Sequence, residues 1–261
     1  MKTVAISCIF YFSIFILLAN AKSPNKIFGG DRVVRIEDHP HQVSIRHRNR
    51  HICSGSIISY YHILTAASCV TADVGVFYAN IKVLSGTINK NDVTNGHIHP
   101  VMLSIVHSHY SPRNFWRNDV ALLRLADRLV PMNTCKPISV SRTSMPSRNS
   151  FEITGWGGLG GLNLPDLATA ELKRITVRAV DDDLCWKFYE KFGGLSSTQK
   201  CAMSATPLTS YITPGDGGSG IISSNTLYGV VSVLTMDFDY PLIYTSVNVY
   251  LNWIHDMVVR Y

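Results

Sequence analysis

The chain has 261 residues, 46% of them hydrophobic and 16% charged, so it can bury a sizeable core and is not compositionally disordered. Eleven prolines and eighteen glycines without a period exclude collagen-like and repeat architectures, leaving one domain or two halves sharing an interface. The formal net charge of +6 falls to +3, with 21 basic against 18 acidic residues, once Lys2, Lys22 and Lys26 are set aside, and no Lys/Arg run interleaved with aromatics points to nucleic acid.

The first predicted element is an address. Residues Val4 to Leu18 are almost entirely apolar, follow Lys2 and lead into Ala19-Asn20-Ala21, the small-x-small pattern that a signal peptidase accepts. A run of about fifteen residues is short against the roughly 20 that span a bilayer, so residues 1–21 read as a secretory signal, with a membrane anchor as the alternative. Export places the cysteines in an oxidising compartment, where pairing is expected. Cys8 leaves with the signal, and Cys53, Cys69, Cys135, Cys185 and Cys201 remain, an odd number that leaves one thiol over.

After Gly29-Gly30 the pattern is one of short strands separated by turn residues, with alternation in His41 to His47, Ile81 to Leu84, Val120 to Leu125 and Lys173 to Ala179. Many closely spaced short strands predict an all-β barrel or sandwich. Helix is predicted twice. Asp181 to Phe192 opens on three aspartates suited to a helix N-terminus, and the C-terminal segment sets Tyr250, Trp253, Ile254, Met257 and Val258 on one apolar stripe.

Four stretches then carry a resemblance. Ile27-Phe28-Gly29-Gly30 directly after Lys26, Leu64-Thr65-Ala66-Ala67-Ser68-Cys69, Asn118-Asp119-Val120-Ala121-Leu122-Leu123 and Gly215-Asp216-Gly217-Gly218-Ser219 resemble, in family order, the chymotrypsin-like (trypsin-fold) serine proteases. Thr154-Gly155-Trp156-Gly157 and Tyr244-Thr245-Ser246-Val247 support it. The resemblance implies two packed six-stranded antiparallel β-barrels ending in a C-terminal helix over residues 27–261, behind a pro-segment at 22–26.

The chemistry that the resemblance implies needs a serine nucleophile, a histidine base and a carboxylate that orients the imidazole. Here the histidine position is Ser68, the nucleophile position is Gly217, and the carboxylate, Asp119, survives. A serine hydroxyl does not titrate near neutral pH and glycine has nothing to attack with. The expected protein is therefore a secreted, inactive homologue that binds rather than cuts, its partners being a protease, an inhibitor or a protease substrate. The alternative is weak hydrolysis through a non-standard nucleophile such as Ser219. His62 reads as a packed or surface residue rather than a relocated base.

The same resemblance assigns the primary specificity pocket to Tyr211 at its base and Leu234 and Leu242 on its walls, three bulky residues expected to fill it. It pairs Cys53 with Cys69 and Cys185 with Cys201, leaves Cys135 as a buried free thiol, and finds Thr213 where a third bridge would begin. It also implies cleavage by a trypsin-like protease between Lys26 and Ile27, with the new amine pairing with Asp216 beside the oxyanion-loop residue Gly215. His97/His99 and His107/His109 have a spacing that zinc could use, yet lack a Cys or carboxylate at matching spacing, so no metal and no cofactor is expected. Arg46 to Arg50 reads as a solvated loop. No membrane association is expected, and the protein is expected to be a monomer.

Overall fold

The computed structural model describes residues 30–147, 149–157, 170–206, 210–233 and 240–261. The signal and pro-segments, Lys26, Ile27 and Leu234 lie outside the described residues.

Alternating apolar residues close two barrels. The first uses β1 (Gln42–His47), β2 (Arg50–Ile57), β3 (His62–Thr65), β4 (Lys82–Ser85), β5 (His97–Val106) and β6 (Ala121–Leu125). The second uses β7 (Ser150–Gly155), β8 (Lys173–Val180), β9 (Gln199–Ser204), β10 (Gly220–Ser223), β11 (Thr226–Val233) and β12 (Leu242–Ser246). The cyclic order is β1-β2-β3-β6-β5-β4 in one and β7-β8-β9-β12-β11-β10 in the other, every neighbour antiparallel, so both halves close by the same rule. Closure removes the edge strands that an open sheet of this size would present. Short pairings decorate the barrels, Asp31–Arg32 on β8 and Ser139–Val140 parallel to β11.

Each barrel carries its own core. Val43, Ile45, Ile57, Ile63, Val83 and Leu122 belong to the first cluster, and Phe151, Ile153, Ile175, Val177, Ile221 and Val231 to the second. Fully burying one such side chain stabilises by roughly 1.5–3 kcal/mol. The last helix, α2 (Leu251–Arg260), lays the predicted stripe, with Tyr250 and Ile254 buried and Trp253, Met257 and Val258 beside them, on the first barrel's cluster. The chain thus returns from the second barrel to seal the first. No helix among the described residues is long and apolar enough to cross a membrane.

Two local readings need correction. The helix predicted from Asp181 to Phe192 is α-helical only as α1 (Asp182–Tyr189), because its last turn tightens to 3-10 geometry over Glu190–Phe192 before Gly193, which is left-handed at φ 94°. Asp181 makes no capping bond through its side chain. Arg46 is not solvated: it is 7% exposed and folds back to donate to the carbonyls of Lys90 and Asn49. The turn itself is only Arg48-Asn49, both left-handed.

Cys53–Cys69 and Cys185–Cys201 are bridged, and Cys135 is free and 2% exposed, as a small hydrophobe would be. His62 is packed, its Nδ1 2.8 Å from the Ser59 hydroxyl. His99 meets the Ser85 hydroxyl at 2.9 Å, and His107 packs edge-on against Tyr250.

His41 is 2% exposed, and neither ring nitrogen has a hydrogen-bond partner among the described residues. Burial, with His39 nearby, pulls its pKa down to about 3, so the folded state refuses a proton that the unfolded chain accepts at its ordinary value near 6.5. The stability that a neutral His41 permits is complete above pH 6.5 and is lost as pH falls toward 3, by on the order of 1.4 kcal/mol per pH unit. His41→Phe is expected to flatten the dependence of unfolding free energy on pH between 6 and 4 by about that slope, measured by urea unfolding across the range.

Candidate functional site

The positions that the resemblance singled out meet at the seam between the barrels. Ser68 lies in the 3-10 turn Ala67–Cys69 that follows β3, and the Cys53–Cys69 bridge ties that turn to β2. Asp119 precedes β6, after Asn118, whose φ of 56° turns the chain into the strand. Gly217 lies in the turn before β10, held by the Ser54 N–H donating to its carbonyl at 2.8 Å.

Asp119 has no exposed surface, and donors from both barrels answer its charge. Its Oδ1 accepts the Ser68 N–H at 2.8 Å. Its Oδ2 accepts the Ser68 hydroxyl at 2.9 Å and, from β11, the Ser232 hydroxyl at 2.6 Å. Thr245 of β12 donates to the Asp119 carbonyl at 2.9 Å. Burial raises the carboxyl pKa above its ordinary value, while the bonds from Ser232, Ser68 and the Ala67 amide oppose that rise. An imidazole has no bond to this carboxylate among the described residues; the Ser68 and Ser232 hydroxyls share its Oδ2.

The nucleophile turn is tightly built. Gly218 has φ 80°, and a Cβ there would come within 2.2 Å of the Ser54 carbonyl and the Thr65 hydroxyl, so only glycine fits. Gly217 differs. Its φ is not positive, and a Cβ there would meet the Cys53 and Cys69 sulfurs at 3.7 Å, ordinary contact. The turn has room for the side chain that it lacks. The N–H groups of Gly215 and Gly217, which by the resemblance would face an oxyanion, have no acceptor among the described residues. Ser219, the candidate substitute, is fully buried, and its hydroxyl has no partner among the described residues, so it is not presented at the surface in this structure.

Below the turn, Asp216 is a second fully buried carboxylate. Oδ1 accepts the Gly157 N–H at 2.8 Å, and Oδ2 accepts the Thr213 N–H at 2.8 Å and its hydroxyl at 3.2 Å. Burial pushes its pKa up to about 6 against those bonds and the attraction of Lys90. Thr213, at the position where a third bridge would begin, therefore supplies two donors instead. His51 steadies the same turn. Its Nε2 donates to the Gly215 carbonyl at 3.0 Å, which leaves Nδ1 to accept the Ser44 hydroxyl at 2.8 Å, and burial holds its pKa near 3. Sequence reasoning did not single out His51, Ser44 or Lys90; His51 two residues before Cys53 was the one available signal.

Of the pocket residues, Leu242 is buried in the second barrel's cluster with Ile212, Val231 and Tyr244. Tyr211 is half-buried at the entry to the 212–219 turn.

The comparisons with known proteins agree with this architecture. Residues 27–254 match the family model described as Trypsin. A trypsin of Tyrophagus putrescentiae, Tyr p 3.0101, is 32% identical over 256 residues, covering 91% of this chain and 82% of the relative. Serine protease SP24D of Anopheles gambiae is also 32% identical, covering 90% and 82%. The structure of neuropsin, a serine protease expressed in the limbic system of mouse brain, superposes with a TM-score of 0.76 over 87% of this chain and 98% of its own, at 22% identity.

Because Ser232 is, among the described residues, the second barrel's donor to the Asp119 carboxylate, Ser232→Ala is expected to destabilise the protein by about 2 kcal/mol, the usual cost of removing a hydrogen bond from a buried charge. Urea unfolding at pH 7 checks it.

Proposed function

Because this chain belongs to the trypsin family of chymotrypsin-like serine proteases, we propose that it is a secreted, proteolytically inactive member that works by binding a protease, a protease inhibitor or a protease's protein substrate. The observation that carries the reading is the Asp119 environment. The carboxylate that would orient an imidazole is closed by the Ser68 and Ser232 hydroxyls, and Gly217 offers no nucleophile above the same turn. Loss of nucleophile and base together costs roughly 10⁶ in kcat in an analogous triad. What such a site retains is a shaped surface. Export is supported by two bridges, which persist in oxidising compartments.

Two experiments test the reading. Protein cut after Lys26, incubated with a fluorophosphonate probe and separately with casein, is expected to show no labelling or cleavage above a buffer blank. Stoichiometric labelling would establish a non-standard nucleophile and overturn the reading. The double substitution Ser68→His with Gly217→Ser is expected to fold with a melting temperature within about 5 °C of the parent, since the Gly217 niche accepts a Cβ. It should still not turn over arginyl or phenylalanyl esters, because the resemblance assigns the specificity pocket to the bulky Tyr211, Leu234 and Leu242. Trypsin-like or chymotrypsin-like turnover by this variant would refute the occluded pocket.

A further inference from the structure

Lys90 is a lysine that has been taken out of water. It is 6% exposed, and its backbone is clamped on both sides, its N–H donating to the Ala170 carbonyl at 2.8 Å and its own carbonyl accepting the Arg46 guanidinium. The ammonium donates to the Gly157 carbonyl at 3.3 Å, and the Gly157 N–H in turn donates to Asp216 Oδ1 at 2.8 Å. One residue therefore separates a buried cation from a buried anion, and the attraction between them acts across it. A carboxylate alone at such a depth costs several kcal/mol, and the positive charge of Lys90 offsets part of that cost. The Asp216 carboxylate also receives the Thr213 N–H and hydroxyl, and its backbone anchors the turn, Asp216 N–H to the Thr213 carbonyl at 2.9 Å and Ser219 N–H to the Asp216 carbonyl at 3.1 Å.

We propose that Lys90 is an internal counter-ion for Asp216, which holds the carboxylate inward and orders the 213–219 turn in the intact chain, without a new amine at Ile27. The family-based expectation gave that task to cleavage after Lys26. In this chain a side chain on the segment after β4 already supplies positive charge at the same carboxylate. The inference does not depend on whether the protein is catalytic.

Amide hydrogen exchange read by mass spectrometry tests it, on the intact chain and on the chain cut between Lys26 and Ile27. In the parent, peptides covering 213–219 are expected to be protected before cutting, with less than a threefold change after it. In Lys90→Gln, which keeps a donor for the Gly157 carbonyl but no charge, exchange of these peptides in the intact chain is expected to rise at least tenfold. Cutting should restore protection, while peptides from β1 and β6 stay unchanged as a control for folding. A parent turn that is unprotected until the cut, or one that Lys90→Gln leaves as protected as before, would overturn the proposal. If Lys90→Gln does not fold, Lys90→Arg, which keeps the charge, must retain parental protection in the intact chain; loss of protection there has the same adverse meaning. Exchange is blind to hydrolysis, so its outcome and that of the fluorophosphonate experiment stand apart.

Discussion

A carboxylate buried between two barrels is tolerated only if donors meet its charge, and at Asp119 both barrels supply them. The first barrel supplies Ser68 through its amide and hydroxyl; the second supplies Ser232 through its hydroxyl, and Thr245 fixes the aspartate's own backbone. This gives the residue at position 68 a duty separate from chemistry. Serine is short, yet its hydroxyl joins that of Ser232 on Oδ2, and an apolar side chain there would remove one of the two bonds to a buried charge at a cost of about 1–3 kcal/mol. The proposed loss of the base is thus compatible with an intact seam.

Asp216 poses the same problem beside Gly217 and solves it differently. Its donors are local, Thr213 and Gly157, and burial still raises its pKa to about 6. Thr213 takes part in that solution at the position where the resemblance implies a third bridge. At the place where a covalent clip would begin, the backbone is fixed instead by bonds to a carboxylate, with His51 holding the neighbouring Gly215 carbonyl.

Much of the fold was legible because strand periodicity is local. The alternation in Lys173 to Ala179 and Val120 to Leu125 marks β8 and β6 within a residue at each end, and the apolar stripe of α2 lands on a core as drawn. The closure of two barrels was legible only through the family-like stretches, since cyclic strand order depends on pairings far apart in sequence. One charged residue misled. Arg46 looks like a solvent-facing position in a polar run, and charged side chains are seldom fully buried; its burial is matched by the carbonyls of Lys90 and Asn49, the first of them far outside any local window of sequence. Ser68 and Gly217 could be singled out from the sequence, but the bond from Ser232 on the other barrel to Asp119 was not legible there.

The open niche at Gly217 has an unequal tolerance. A side chain starting there has the Cys53 and Cys69 sulfurs 3.7 Å from its Cβ. A hydroxyl in that place is chemically inert toward the bridge. A thiol would stand beside a disulfide that it can attack in its thiolate form, opening a route to a scrambled bond that frees the turn carrying Ser68. The scaffold that accepts an oxygen nucleophile without strain is therefore redox-fragile toward a sulfur one.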